Sequence, residues 1–485
     1  MSVSLELSNL GPLRAAELDL ADLTLLIGEN NTGKTFLATV LHRVLNPSPS
    51  WPRWRHGREE DVPSEVEDWI TKVLNAQEDD PSTLDTLDFV PSKASMRWAK
   101  GATSQALRNY GASVRHSVGY AFGAEYSRLR RRTPSRHAAD CYLRISSSMP
   151  DWRIEIRFDS EGISVEPPDP EEWLKSVLSP QQIQQSTLSF SHLRLPSPIW
   201  MGEFLGLYPG TAPSSALAGI FASWPRLAVH LPADRTGIMQ SHNVLAGAAV
   251  RQSARAGIRQ IEIETLPGTS ADFLSLILEL PESMPGMEHR QPKFAALVRK
   301  FEEEMRAEIA VDQRSDGLDA IMAVTSEGRF PMARASSMLS ELAPLLLLLK
   351  SPLNVDHLTI DEPEAHLHPE MQVRVASFLA KLVNEGMQIV LTTHSDFFVS
   401  QFNNMIRLHE LSERSDVTLS SDLSALDRTR VQALRFSREN GWCVARDSVP
   451  DSINGVDEST FTDVMRSQYD ETARLVNGLL EANRS

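Results

Sequence analysis

The stretch LLIGENNTGKT, residues 25 to 35, constrains the fold more than any other segment of the chain. An apolar strand, Leu23 to Ile27, runs into a loop of the order G-x-x-x-x-G-K-T, and helix-forming residues follow it. Gly28 and Gly33 let the backbone curl so that successive N–H groups face phosphate oxygens, and the helix after Gly33 adds the positive end of its dipole. The motif predicts a strand, a phosphate-binding loop and a helix at the start of an α/β domain.

The side chains of this loop predict its ligands. Lys34 is placed to reach β- and γ-phosphates, and the hydroxyl of Thr35 is placed to bind Mg²⁺. The predicted phosphate-binding residues are Gly28, Glu29, Asn30, Asn31, Thr32, Gly33, Lys34 and Thr35.

The charge of the chain argues against general coating of nucleic acid. The 485 residues carry a formal net charge of −16, whereas counterion release needs clustered Lys and Arg. Two local basic stretches, WPRWRHGR and the arginines at 128 and 130 to 132, are candidates for phosphate contacts, although solvated surface is the favoured interpretation of each.

The sequence also predicts a cytoplasmic protein without a membrane segment. Cys141 and Cys443 lie far apart, which gives no metal or redox spacing and suits buried packing in a reducing compartment. The N-terminus lacks the pattern of a signal peptide. The longest apolar run, Leu342 to Leu349, is much shorter than the roughly 20 residues that span a bilayer and predicts a buried helix.

Changes in composition suggest four regions. Residues 1–45 alternate as β-structure and contain the phosphate loop, and residues 46–222 read as an insertion with helices near 64–76 and 102–132 and two or three strands within 141–167. Residues 223–400 return to ordered α/β patterning, including a helix over FAALVRKFEEEMRAEIA, residues 294–310. Residues 401–485 form a C-terminal extension that ends in an amphipathic helix carrying Phe461, Val464, Met465, Leu475, Val476 and Leu479.

The stretch VDHLTIDEPEAHLHPEMQ predicts the second half of an active site. Leu358 to Ile360 form a short buried strand with Asp361 and Glu362 at its C-terminal end, where open parallel sheets bind ligands. Asp361 is placed to hold the same Mg²⁺ as Thr35, and Glu362 to orient and deprotonate an attacking water.

A third strand, Ile389 to Leu391 in QIVLTTHSDFF, ends just before His394. Its position predicts that His394 donates to a γ-phosphate, although a lone histidine is more often a surface or core residue. His366 and His368 are one residue apart before Pro369, which favours a turn and a helix start over a metal site.

The combination of GENNTGKT, LTIDEPEAHLHPEMQ and LTTHS resembles the soluble ABC-type ATPases related to RecF, the SMC proteins and the overcoming-lysogenization-defect family. LPADRTG and ASSMLSELAPLLLLLK are similar to the bacterial branch found in anti-phage defence operons, such as the Septu and PARIS ATPases. The resemblance covers about half the chain. It implies an α/β ABC-type head with a P-loop, a mixed sheet and flanking helices. The change in composition adds to this head a large, mainly helical insertion over residues 46–222, which the resemblance does not cover.

The resemblance also implies residue roles. Asp361 and Glu362 match the Walker B aspartate and the catalytic glutamate, and His394 matches the switch histidine. ASSMLSEL lies where the signature motif belongs, so Ser336 and Ser337 would bind the γ-phosphate of the opposing subunit; the glycine that usually follows is Met338 here. The Q-loop glutamine is not placed, since the cluster Gln181, Gln182, Gln184 and Gln185 lies in the insertion.

The function expected from this resemblance is an ATPase that binds ATP and Mg²⁺ and closes as a homodimer on two nucleotides. Closure and reopening would act on a separate effector, such as a nuclease, or on nucleic acid, in bacterial anti-phage defence. The alternatives are a self-contained nuclease, which would need a further carboxylate set after His394, a RecF- or SMC-like DNA repair ATPase, and the ATPase subunit of a transporter.

Overall fold

The computed structural model describes residues 3–46, 63–79, 87–123, 129, 140–148, 151–158, 162–180, 227–242, 267–283, 292–312, 320–353, 355–414, 424–451, 453–457 and 459–482. Within them the strands are β1 Val3–Leu10, β2 Leu13–Asp19, β3 Leu23–Gly28, β4 Tyr142–Ser148, β5 Asp151–Arg157, β6 Ile163–Glu166, β7 Ala228–Leu231, β8 Ala307–Asp312, β9 Ala320–Thr325, β10 Gly328–Pro331, β11 His357–Asp361, β12 Gln388–Thr393, β13 Val431–Glu439 and β14 Trp442–Asp447.

The helices are α1 Lys34–Leu45, α2 Ser64–Asp79, α3 Lys93–Ala121, α4 Pro170–Val177, α5 Gly268–Ser283, α6 Ala295–Met305, α7 Ser337–Lys350, α8 Pro369–Asn384, α9 Asp396–Arg414 and α10 Ser459–Ala482. A short helix also covers residues 235 to 242. The predicted α/β class with a mixed sheet and flanking helices is confirmed.

One sheet of 11 strands, in the order β6-β5-β4-β1-β2-β14-β13-β3-β12-β11-β7, organises the molecule. From β13 to β7 neighbouring strands are parallel. Every residue of β3, β7, β11 and β12 is buried, as expected of parallel strands with both faces covered. We call β13-β3-β12-β11-β7 the parallel region.

At the other end, β6, β5, β4, β1 and β2 pair antiparallel, and we call them the antiparallel region. Burial alternates along β5, where Trp152, Ile154 and Ile156 are buried. The long helix α3 covers this face, and Gly111 of α3 lies against Ile154 and Ile163. One face therefore packs on a helix while the other carries polar side chains.

The sheet crosses the predicted domain boundaries at 45, 222 and 400. Strands β4 to β6, from the interval 46–222, extend the sheet beyond β1. Strand β13, from the predicted C-terminal extension, pairs with β3 along its length, and β14 pairs with β2. Residues 142–166 and 431–447 therefore belong to the same sheet as the phosphate-loop strand, a result of long-range strand pairing that local composition does not report.

Two helix predictions were wrong in extent. Helix α3 begins at Lys93 rather than near 102, because the side chain of Ser92 caps it by accepting the N–H groups of Ala94 and Ser95. Helix α6 ends at Met305 and not at 310, because Arg306 adopts a left-handed φ of +54° and the following residues alternate as β8. Strands β8, β9 and β10 form a separate three-stranded sheet beside α6 and α7.

Other features follow the sequence. The run Leu342 to Leu349 lies in the buried helix α7, and the thiols of Cys141 and Cys443 are buried. Among the described helices none has the length and apolar character to cross a membrane. Met465, Leu475 and Val476 of the terminal helix α10 are exposed, while the side chains of Phe461, Val464 and Leu479 lie outside the described residues.

Candidate active site

Three neighbouring strands bring the predicted site residues to one edge of the parallel region. Strand β12 pairs in parallel with β3 on one side and β11 on the other, and Thr393 lies opposite Ile27 while Asp361 lies opposite Thr392. The carboxyl ends of parallel strands meet at one edge of the sheet, where such sheets bind ligands. The phosphate loop, Asp361 with Glu362, and His394 therefore share that edge.

The phosphate loop has the backbone that the glycine pattern predicts. Gly28 has a φ of +145°, and a Cβ on it would lie 2.3 Å from the carbonyl oxygen of Phe436 on β13. Gly33 has a φ of +94° and precedes the first turn of α1. Because Gly33 has no side chain, the N-terminal N–H groups of α1 are not capped from this position, which suits anion binding.

Lys34 lies beneath the loop and is 5% exposed. Its Nζ donates to the carbonyl oxygens of Gly28 at 2.8 Å and Glu29 at 2.7 Å, while Thr32 Oγ1 donates to the Glu29 carbonyl at 2.7 Å. Burial lowers the pKa of Lys34, and this lowering is opposed by the carboxylates of Glu362, Glu364, Asp361 and Glu29. The two predicted halves of the site are therefore within electrostatic reach of one ammonium group.

The remaining loop side chains face outward, since Glu29, Asn30, Asn31 and Thr35 are exposed. Asn31 has a left-handed φ of +60°. Its carbonyl oxygen accepts from Arg438 Nη2 at 3.1 Å, so β13 also supports the outer side of the loop.

Asp361 is held by two partners from neighbouring strands. Its carboxylate is 1% exposed, with Oδ2 accepting from His230 Nε2 at 2.8 Å and Oδ1 accepting from Thr392 Oγ1 at 3.0 Å. These bonds fix the orientation of the carboxylate, as partners of metal-binding carboxylates commonly do. His230, on β7, was not among the predicted site residues.

Glu362 has an unusual backbone conformation. Its φ is +46°, uncommon for a non-glycine residue and frequent at functional sites. Its N–H donates to the carbonyl oxygen of Thr392 at 3.0 Å and to Thr392 Oγ1 at 3.1 Å, while its own carbonyl accepts from Arg235 Nη2 at 3.0 Å. The side chain is 31% exposed and so remains accessible to a water molecule.

His394 lies between two glutamates. Its Nδ1 is 3.7 Å from Glu362 Oε1 and 3.5 Å from Glu364 Oε1. Glu364 Oε1 also accepts from the His394 N–H at 2.8 Å and from Thr393 Oγ1 at 2.7 Å. Burial raises the pKa of Glu364, and these hydrogen bonds oppose the increase. Glu364, which sequence analysis did not select, therefore fixes the position of His394.

The predicted signature serines begin α7. Ser336 and Ser337 are exposed, and Ser336 Oγ accepts from the Leu339 N–H at 3.3 Å as the N-cap. Met338 packs against the hydrophobic core, so its side chain turns inward from the exposed helix start. The hydrogen bonds of the described residues do not connect either serine to Lys34, Asp361 or Glu362, and their role toward a second subunit stays a prediction.

The donor set fits a nucleoside triphosphate with Mg²⁺. A buried ammonium and the N-terminus of α1 suit phosphate oxygens, while the Thr35 hydroxyl and the Asp361 carboxylate are oxygen ligands of the kind Mg²⁺ prefers. A side chain at Gly28 would meet the β13 backbone, so the cradle requires glycine at that position.

Several predictions fall elsewhere. The cluster Gln181, Gln182, Gln184 and Gln185, the stretch WPRWRHGR and the arginines at 128 and 130 to 132 lie outside the described residues. His366 has a φ of +58° in a turn and His368 is the N-cap of α8, which confirms their structural interpretation. In the described segments of the chain no group of three or more His, Cys, Asp or Glu residues forms a metal cluster of its own.

One protein-family model matches part of the chain. Residues 258–400, which include Ser336, Ser337, Asp361, Glu362 and His394, match the family model described as "AAA domain, putative AbiEii toxin, Type IV TA system". No curated protein matches the chain.

Among solved structures, the chain is similar to three SMC heads. For an SMC head bound to the C-winged helix domain of ScpA the TM-score is 0.37 at 10% identity, covering 92% of this chain and 97% of that one. For the SMC head domain from Thermotoga maritima it is 0.36 at 10% identity, covering 92% and 99%. For an Smc head with an extended coiled coil, bound to the C-terminal domain of ScpA from Pyrococcus furiosus, it is 0.39 at 12% identity, covering 96% and 98%.

Proposed function

We propose that this protein is an ABC-type ATPase that binds ATP with Mg²⁺ and hydrolyses it between two copies of the chain. The observation that supports this most is the convergence at one sheet edge of a buried lysine, a glycine-built phosphate loop and the carboxylates of Asp361 and Glu362. Phosphoryl transfer depends mainly on positioning and on charge stabilisation, and this arrangement offers both.

Each residue has a proposed task. Lys34 binds the β- and γ-phosphates, and Thr35 with Asp361 holds Mg²⁺, which neutralises phosphate charge when bound. Glu362 accepts a proton from the attacking water, while His394, oriented by Glu364, donates to the γ-phosphate. The hydrogen bonds from His230 and Thr392 keep the Asp361 carboxylate in place.

The second copy completes the site. Ser336 and Ser337 are exposed at the start of α7, where hydroxyls and the helix N-terminus suit an incoming γ-phosphate. Closure of the homodimer on two ATP molecules would act on a separate effector protein. The motifs resemble those of anti-phage defence ATPases, and the matched family model is described as a putative toxin. Both support a role in bacterial defence. The proposed location is the cytoplasm.

Replacing Glu362 with glutamine tests the proposal. Glu362→Gln keeps the side-chain shape and removes the base, so hydrolysis should slow by about a hundredfold or more while ATP binding persists. ATP should then accumulate in a closed dimer, detected as ATP-dependent doubling of mass by analytical ultracentrifugation. Ser337→Arg in the same background should reverse the shift, because the new side chain occupies the proposed γ-phosphate contact.

Glu385→Gln is the matched control, since this exposed glutamate lies at the opposite end of α8 from the site. It should hydrolyse ATP as the wild type does. If Glu362→Gln hydrolyses ATP at the wild-type rate, Glu362 is not the base; if the double variant still dimerises on ATP, the composite site is wrong.

A further inference from the structure

A buried ion pair joins the signature helix to the backbone of the Walker B strand. Arg235, in the short helix after β7, contacts Glu341 of α7, and their side chains are 3% and 0% exposed. Burying two charges is expensive and is weak evidence for stability alone, because an apolar pair of similar volume is often as stable. The pair therefore calls for a reason beyond packing.

The other contacts of Arg235 go to the catalytic segment. Its Nη1 donates to the carbonyl oxygens of Pro232, at 2.9 Å, and of Asp361, while Nη2 donates to the carbonyl oxygen of Glu362 at 3.0 Å. One guanidinium thus holds the two successive carbonyls that carry the proposed metal ligand and base. A planar fork with five donors can make such a set of bonds, whereas a lysine ammonium cannot reproduce its geometry.

Glu341 lies near the start of the signature helix and contacts the short helix at 235–242. Glu341 lies four residues after Ser337, one helical turn or about 6 Å along α7. Its second oxygen accepts from Thr236 Oγ1, and the neighbouring Ser340 Oγ accepts from Gln240 Nε2 at 3.2 Å. The helix at 235–242 therefore contacts the first turns of α7 through side chains at three positions.

We infer that Arg235 and Glu341 are positioning residues. They link the contact that the signature serines of one chain make with the partner's nucleotide to the position of Glu362 in that same chain. This inference rests on the proposed function, since it needs a nucleotide at both places. When Ser336 and Ser337 engage the partner's nucleotide, a displacement of the first turn of α7 moves Glu341. Arg235 carries that displacement to the Glu362 carbonyl, at a residue held in a left-handed conformation. The two sites of the dimer then hydrolyse ATP in a coupled manner.

The test compares Glu341→Gln with Glu302→Gln. Glu302 on α6 forms an ion pair at 2.6 Å with Lys350, which lies at the end of α7 opposite the signature serines. Loss of this ion pair therefore perturbs α7 far from those serines. For Glu341→Gln we expect kcat to fall at least tenfold, KM and the affinity for ATP to change less than threefold, and the Hill coefficient for ATP hydrolysis to drop to 1. For Glu302→Gln we expect kcat within twofold of the wild type and an unchanged Hill coefficient.

A second variant keeps the test decisive if the single change prevents folding by leaving Arg235 unpaired. Arg235→Met/Glu341→Leu replaces both charges with apolar groups of similar volume, which buried pairs often tolerate. A double variant that folds, judged by its melting curve, should show the same fall in kcat and in the Hill coefficient.

The outcomes separate the two proposals. If the wild type hydrolyses ATP and the folded variants at Arg235 and Glu341 retain its kcat and Hill coefficient, the positioning role is wrong and the proposed function stands. If the wild type neither binds nor hydrolyses ATP with Mg²⁺, the proposed function fails, and the link fails with it.

Discussion

The two regions of the sheet bury their residues differently. Along β3 and β12 every residue is buried. Along β5 buried positions alternate with exposed or half-buried ones, and along β6 half-buried positions alternate with exposed ones. In the parallel region both faces pack against the rest of the protein, and the side chains of the candidate site lie at the carboxyl ends of the strands. In the antiparallel region, polar side chains cover a whole face of the sheet along the length of the strands.

This difference indicates which region carries the candidate site and which region tolerates substitutions. The antiparallel region has ion pairs on its open face, such as Arg144 with Glu155 at 2.7 Å and Arg157 with Glu155 at 3.0 Å, and pairs of this kind contribute little to stability. The parallel region places Lys34, Asp361 and Glu362 at one edge. Substitutions of the same kind should therefore have much larger effects in the parallel region.

The largest contrast should come from two lysines. Lys34→Ala removes the buried ammonium beside the loop, and we expect ATP affinity to fall by roughly a hundredfold or more, since charged contacts are worth about 1.5–3 kcal/mol each. Lys175→Ala removes an exposed lysine that pairs with Glu171 on α4, and it should leave affinity unchanged. Isothermal titration calorimetry measures both, and equal affinities for the two variants would rule out the phosphate-loop assignment.

A second contrast concerns the cores of the two regions. Leu391→Ala in β12 empties a site buried on both faces and should destabilise the protein by about 2–5 kcal/mol. Val165→Ala in β6, where the side chain is only partly buried at the sheet edge, should cost about 1 kcal/mol or less. Urea unfolding compares them, and similar losses would show that the edge strand is packed as tightly as the centre.

A third prediction concerns the pH dependence of stability, through His357 at the amino end of β11. Burial lowers the pKa of His357 from its ordinary value of 6.5 to about 4. Between these values the unfolded chain binds a proton that the folded chain does not, so the free energy of unfolding should fall as pH drops from about 6.5 to 4 and then level off. The contribution of this histidine is at most about 3 kcal/mol.

The difference between the wild type and His357→Asn isolates this contribution from carboxyl groups that titrate in the same range. Chemical unfolding measured at intervals from pH 7 to pH 4 should give a smaller loss of stability for the variant. Parallel curves for the two proteins would mean that His357 has the same pKa in the folded and unfolded protein, so that burial does not lower it.

The sequence by itself determined the local elements of the site. The phosphate loop, Asp361 with Glu362, and the position of His394 each follow a short apolar run, so strand, turn and ligand-facing residue are encoded within about ten consecutive residues. The turn of the backbone at Gly28 and Gly33 is predictable for the same reason, because the backbone angles that glycine permits are a property of the residue itself.

Only the tertiary structure decided which distant residues support that site. His230 has no short motif, and Arg235 and Glu341 lie within LPADRTG and ASSMLSELAPLLLLLK, but these stretches do not indicate that the two residues pair with each other. A histidine within the buried strand β7 and an arginine just after it were available signals. The insertion of β13 beside the phosphate-loop strand and the extension of the sheet by β4 to β6 were missed as well. These strand pairings and this buried ion pair join residues a hundred or more positions apart in the sequence. The packing of the whole sheet brings such residues together, and local composition does not indicate which of them will be in contact.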